Sequence, residues 1–246
     1  MPQHAPARYR LARRLAFVAL VTGAVPTLAG CNPDIFDVSV LLAKESYPVD
    51  FGTSMGNVPT TTCAAGDTMV CGSGQNVTVD GGAGTATVTL ACDGGKSLCY
   101  AQANVTATAT VDVLQDDSFT SAVGRRAVSV VRMVDLQYTV PSNTTTFTLP
   151  EIDVYVGPAG SAATTDPGVV PVDKTEPLAA GAIFTDARHL TVADGSPARD
   201  LIETDIRNES PFVFLIAAAP RLEAGAPLPA GKLEIDVQPL VGLGLR

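Results

Sequence analysis

The clearest pattern in the chain is a strict alternation of apolar and polar residues between residues 101 and 113. The apolar positions are all alanine or valine: Ala101, Ala103, Val105, Ala107, Ala109, Val111 and Val113. Because successive side chains of a strand point to opposite faces, this period of two predicts a long strand with one buried and one wet face. Its predicted partner is residues 86–92, joined to it through the turn Asp93-Gly94-Gly95.

Shorter segments on both sides of this strand carry a similar pattern. They are residues 36–40, 77–80, 134–140, 144–149, 152–156 and 233–237, and residues 183–192 are predicted to hold one or two further strands. Residues 212–219 are continuously apolar, which predicts a strand buried on both faces. Residues 45–56 and 157–176 contain several prolines and glycines and are predicted as loops.

One segment has the pattern of a helix. Ser196 is a favoured N-cap residue, and Pro197 follows at the first helical position, where its missing N–H costs nothing. Apolar residues then recur at helical spacing, at Ala198, Leu201, Ile202 and Ile206. The pattern predicts a helix that ends near Asn208, and it is the only helix predicted.

Many short strands and one helix predict an all-β fold, an antiparallel β-sandwich of the Ig-like or a related Greek-key type with one short helix. The 22 glycines and 18 prolines among 246 residues agree with this, because both residues end elements early. We expect residues 35–246 to form a single domain, with a boundary at Asp116 and Asp117 as the alternative.

The N-terminal residues have the composition of a secretory signal. Four arginines and no acidic residue fall within residues 1–14, and the mostly apolar residues 15–27 follow. This apolar run of about 13 residues is shorter than the roughly 20 that a membrane-spanning helix needs. We therefore expect residues 1–30 to be a cleaved signal peptide.

The four residues that end this segment, Leu28-Ala29-Gly30-Cys31, resemble the lipobox of bacterial lipoprotein precursors. The resemblance implies that Cys31 carries the lipid and becomes the first residue of the mature protein. Several acyl chains would hold it on a membrane where one would be marginal. Residues 31–34 then form a very short tether. An aspartate after the cysteine would signal retention in the inner membrane, and the asparagine at this position, Asn32, therefore favours the outer membrane. The alternative is an ordinary signal peptide with a chance cysteine.

Charge limits the partners of the mature chain. The full sequence has 16 basic and 25 acidic residues, and the predicted signal removes four arginines but no acid, which leaves a net charge of −13. A surface this acidic repels phosphate backbones and anionic lipid headgroups. Nucleic acid is therefore excluded as a partner, and another envelope protein is expected.

Four cysteines remain besides Cys31, an even number that favours two disulfides in an exported protein. Cys92 and Cys99 flank the predicted hairpin turn, where opposite positions bring Cβ atoms close enough to bridge. Cys63 and Cys71 form the second pair by elimination, so that residues 57–99 become a stapled, glycine-rich insertion. The alternative, a zinc site, requires closer cysteine pairs than these, and no C-x-x-C redox motif is present.

The sequence offers few candidates for catalysis. Ser54 lies in Gly52-Thr53-Ser54-Met55-Gly56, which matches the G-x-S-x-G elbow of serine hydrolases, but Pro59 and a run of threonines oppose the helix that must follow. His189 is the only histidine after residue 30, and we expect it on the surface or at a sheet edge.

Two kinds of ligand are alternatives. Calcium takes carboxylate oxygens in loops, and acidic turn positions occur at Asp80, Asp93, Asp116, Asp117 and Asp194, although none has EF-hand spacing. Glycan-binding modules use aromatic platforms, whereas this chain has no tryptophan.

The sequence thus favours a non-enzymatic, lipid-anchored cell-envelope lipoprotein with a structural or protein-interaction role and no cofactor. A calcium- or glycan-binding lipoprotein is the alternative, and a serine hydrolase acting through Ser54 is the remote one.

Overall fold

The computed structural model describes residues 36–51, 56–58, 60, 77–81, 84–93 and 95–246. Pro33–Arg246 forms one compact unit. The strands are β1 (Phe36–Leu41), β2 (Glu45–Asp50), β3 (Val77–Gly81), β4 (Gly84–Asp93), β5 (Leu98–Val111), β6 (Val128–Asn143), β7 (Asp153–Pro158), β8 (Val170–Lys174), β9 (Phe184–Thr191), β10 (Phe212–Ala218), β11 (Arg221–Glu223) and β12 (Lys232–Leu245). The helices are α1 (Asp117–Val123) and α2 (Pro197–Arg207).

The strands form two antiparallel sheets. The five-stranded sheet has the order β1-β12-β6-β9, and β2 also pairs with β12. The seven-stranded sheet has the order β3-β4-β5-β10-β7-β8, and β11 also pairs with β5. Apolar side chains of both sheets and both helices form one large core cluster. The all-β sandwich predicted from the sequence is confirmed.

Strand β12 pairs with three other strands of the five-stranded sheet. Its 14 residues pair with β6 on one side, while β1 pairs with residues 240–245 and β2 with residues 232–237 on the other. The chain between β1 and β2 passes Pro239, whose carbonyl accepts a hydrogen bond from Leu42 N at 2.9 Å. One long strand therefore positions three neighbouring strands.

The periodic segments fold as predicted. In β5, Ala101, Ala103, Val105 and Ala107 are buried, and the residues between them are partly or fully exposed. In α2, the Ser196 hydroxyl accepts a hydrogen bond from Arg199 N at 3.2 Å, and Asn208 is the C-cap. These two elements confirm the strand and helix that the sequence pattern predicts.

Helix α1 was not predicted, since residues 115–118 are polar and the helix has only seven residues. Its N-cap is Asp116, which is 5% exposed. The carboxylate accepts hydrogen bonds from Phe119 N at 2.8 Å and from Ala43 N in the segment after β1. The prediction of a single helix is therefore wrong, because the cap that starts α1 is completed by a residue 73 positions away.

Two predicted loops contain strands. Residues 45–56 include β2, and residues 157–176 include β8. Both strands contain a proline, Pro48 or Pro171, and both pair on one side only. Proline has no N–H for a sheet interior but is tolerated on an edge strand, which explains why proline misled the prediction.

The predicted strand at residues 144–149 is irregular apart from an isolated bridge between Leu149 and Leu178. The Asn143 side chain accepts hydrogen bonds from Thr145 N at 3.0 Å and from the Thr145 hydroxyl at 2.7 Å. Such a local side-chain bond competes with the strand conformation.

Several residues singled out in the sequence lie outside the described residues. They are Cys31 with the rest of the lipobox, Ser54, Cys63 and Cys71. No helix within the described ranges is both long and apolar enough to span a membrane.

We predict that Asp116→Ala lowers the free energy of unfolding by about 1–3 kcal/mol, because it removes a helix cap and leaves the Ala43 N–H without its acceptor. Asp116→Asn keeps one acceptor oxygen and should lose less. Urea denaturation of both variants measures the difference. Equal losses for the two variants would contradict the capping role.

Candidate functional site

A surface depression of about 420 Å³ lies where one edge of each sheet comes together. Strand β9 is the edge of the five-stranded sheet, and β8 is the edge of the seven-stranded sheet. A hydrogen bond of 2.8 Å from Thr191 N to the Asp173 carboxylate joins the two edges. The lining residues are Tyr138, Lys174, Glu176, Arg188, His189 and Leu190.

The depression contains a histidine paired with a carboxylate. His189 Nδ1 lies 2.7 Å from Asp135 Oδ2, and the two side chains are 59% and 24% exposed. The register explains the pair: His189 is opposite Gln137 on β6, so that Asp135 is its diagonal neighbour. The prediction of a surface histidine at a sheet edge is confirmed, whereas its carboxylate partner was not predicted, since it comes from a register that the sequence does not show.

A histidine and an aspartate alone do not make a nucleophilic site, because such a site also needs a hydroxyl or thiol within hydrogen-bond reach of the histidine. The six lining residues include no serine, threonine or cysteine, and the hydroxyl of Tyr138 is the one hydroxyl among them. An exposed pair of this kind contributes little to stability, and the geometry supports a polar contact surface.

The basic side chains of the depression each meet a carboxylate. Arg188 pairs with Glu176 and stacks over Phe184 with its guanidinium carbon 3.7 Å from the ring centroid. Lys174 Nζ lies 3.0 Å from an Asp153 carboxylate oxygen, and this hydrogen bond raises the pKa of Lys174. The surface therefore alternates in sign over a short distance, an arrangement that selects a partner with complementary charges.

The depression is open and polar, whereas small-molecule sites are enclosed and mostly apolar. The fold and this depression together define an antiparallel β-sandwich with a surface of paired charges at the adjoining sheet edges.

The predicted disulfide partners of the hairpin lie opposite each other. Cys92 pairs with Cys99 in the register of β4 and β5, and Cys99 is 1% exposed. The cysteines thus occupy the directly opposed positions that a cross-strand disulfide requires.

The acidic positions considered for calcium lie in separate places. Asp93 closes the β4–β5 turn, where a hydrogen bond from Arg221 is the main cause that lowers the pKa of Asp93. Asp116 and Asp117 belong to α1, and Asp194 lies in the loop before α2. Within the described part of the chain, no three His, Cys, Asp or Glu side chains come together as a metal site.

The polar contacts on the two faces of β2 were not predicted from the sequence. Asp236 is 3% exposed and accepts hydrogen bonds from Lys44 Nζ at 2.5 Å and the Ser46 hydroxyl at 2.6 Å. On the inner side of β2, burial and the nearby Asp116 charge raise the pKa of Glu45. Burial and the charge of Glu45 raise the pKa of Tyr47, whose hydroxyl has no hydrogen-bond partner among the described residues.

No protein-family model, curated protein or solved structure shows significant similarity to this chain.

The raised pKa of Glu45 predicts a pH-dependent stability. Because the folded protein holds the Glu45 proton more tightly, the resulting stabilisation is complete below the ordinary value of 4.5 and is lost as the pH rises through the folded-state pKa. Glu45→Gln should therefore raise the melting temperature at pH 7, by an amount equivalent to at most about 0.5 kcal/mol. At pH 4 the gain should largely disappear.

Calorimetry at the two pH values measures this difference. Glu209→Gln, in an exposed turn residue after α2, is the matched control. A gain that is the same at both pH values would contradict the electrostatic explanation.

Proposed function

We propose that this chain is a non-enzymatic, lipid-anchored lipoprotein of the bacterial cell envelope with a structural or protein-interaction role. The observation that carries the interaction role is the open, charge-patterned depression between β8 and β9. Paired charges of both signs at an exposed edge give specificity for a protein surface and little stability to the fold itself.

The proposed anchor is the lipid on Cys31, and the structure of the body is compatible with a location close to the membrane. Strand β1 begins at Phe36, five residues after Cys31. Five extended residues span at most roughly 18 Å. The residue after the cysteine, Asn32, supports the outer membrane over the inner membrane as the site of the anchor.

The proposed partner is another protein of the envelope, bound at the depression. Arg188 is the central side chain for this role, because it is pre-positioned by Glu176 and by stacking on Phe184. A guanidinium held in this way loses little further freedom on binding, and arginine is enriched among the residues that dominate protein interfaces.

We predict that cross-linking in the native envelope, followed by affinity capture and mass spectrometry, yields one reproducible protein. Arg188→Glu should reduce its capture about tenfold, as expected for loss of a central interface arginine. Lys232→Glu makes the same charge change at an exposed, ion-paired lysine on β12 and should leave capture unchanged.

Cys31→Ala tests the contribution of the anchor and should abolish capture. If only abundant background proteins are captured with the intact chain, or if Lys232→Glu acts as strongly as Arg188→Glu, the interaction role is wrong.

We further propose two disulfides, Cys92 with Cys99 and Cys63 with Cys71. The opposed register of the first pair supports it. Peptide mapping without reductant should find both links, and Cys92→Ser with Cys99→Ser should lower the free energy of unfolding by about 2 kcal/mol. Four thiols that react with a labelling reagent after unfolding without reductant would contradict the proposal.

A further inference from the structure

Two exposed arginines lie at one end of the sandwich although the chain as a whole is acidic. Phe36, the first residue of β1, is 48% exposed, and the Arg126 guanidinium carbon lies 4.6 Å from the centroid of its ring. Arg125 is exposed beside it. Among the described residues, neither arginine forms an ion pair.

The fold brings these residues together from distant parts of the sequence. The cap of α1 is bonded to Ala43 after the end of β1, and α1 packs against β1 and ends at Gly124. The chain then enters β6, whose Val128 is opposite Leu245, and Leu245 is also opposite Phe36. Register therefore places Arg125 and Arg126 at the same end as the start of β1.

The acidic side chain next to Phe36 is already neutralised. Asp37 Oδ1 lies 2.8 Å from Arg132 Nε. Asp37 is therefore engaged by Arg132, and the two exposed arginines contrast with the predicted mature chain, whose net charge is −13 from 16 basic and 25 acidic residues less the four arginines of the signal.

We propose that Phe36, Arg125 and Arg126, here called the anchor-end patch, dock on the headgroups of anionic phospholipids. Guanidinium groups bind phosphate with charge-assisted hydrogen bonds, and an exposed aromatic ring beside them enters the headgroup region. The proposal rests on the proposed function, since lipid on Cys31 would place the membrane within roughly 18 Å of Phe36.

The acidic surface of the rest of the protein favours one orientation of the body on the membrane. Anionic headgroups repel the acidic surface and attract the anchor-end patch, so that only one end of the sandwich is stable against the membrane. The acyl chains alone would leave the body free to rotate. The anchor-end patch thus selects which end of the body faces the bilayer.

The test uses the processed lipoprotein, purified from membranes and reconstituted in vesicles of phosphatidylcholine alone or with phosphatidylglycerol. Hydrogen exchange of the peptide covering residues 124–128 is compared in the two vesicle types. Because one basic residue near an anionic surface changes binding about fivefold, exchange should slow by about fivefold or more with phosphatidylglycerol. High salt should remove the effect, since it shortens the screening length.

Variants separate charge from folding. Arg125→Glu with Arg126→Glu should lose the protection, whereas Arg125→Lys with Arg126→Lys should retain most of it. Lys96→Glu with Lys232→Glu makes the same charge change, and Lys232 lies at the opposite end of β12 from the Leu245 position that pairs with Phe36. This control should keep the protection, and all variants should keep the melting temperature of the unmodified chain.

Equal exchange in both vesicle types would overturn the proposal, as would equal loss in the control variant. The mass of the N-terminal peptide tests the anchor separately. If Cys31 carries no lipid, the proposed function fails. Flotation of the unanchored protein then tests the anchor-end patch by itself: binding to phosphatidylglycerol vesicles supports the proposal, and no binding overturns it.

Discussion

The pairing of β12 with three other strands is the constraint on which the five-stranded sheet depends. β12 lies near the end of the chain, while β1 and β2 lie at the start of the described part. Their register with β12 fixes the position of Phe36 and, through Ala43 and Asp116, of α1. These contacts join residues about 200 positions apart, so that the sheet is complete only when both distant parts of the chain have paired. Proteins rich in such non-local pairing fold slowly.

Periodicity predicted the elements whose pattern is complete within one segment. The alternation of β5 and the N-cap and apolar face of α2 both need no information from elsewhere. In contrast, β2 and β8 are strands because an edge position tolerates Pro48 and Pro171, and the edge is decided by sheet order. Helix α1 depends on the bond between Asp116 and Ala43, which local propensity does not contain.

The candidate surfaces were predictable only in part, for the same physical reason. His189 was expected at the surface, and it is exposed. Its pairing with Asp135, the stacking of Arg188 and the approach of Lys174 require the register and order of β6, β8 and β9. Net charge describes only the average charge of the surface. The acidic total predicted repulsion from anionic lipids, whereas the arrangement of α1 and β1 places Arg125 and Arg126 together at one end.

The distance between the two surfaces connects the proposed anchor to the proposed interaction role. Along β6, Val128 lies at the anchor end and Tyr138 lines the depression, ten residues later. Ten strand residues span roughly 33 Å. This separation is several times the screening length of about 8 Å at physiological salt. The charge of the headgroups therefore does not weaken the ion pair between Arg188 and Glu176. With the anchor-end patch on the bilayer, the sandwich would act as a spacer that holds its contact surface away from the membrane.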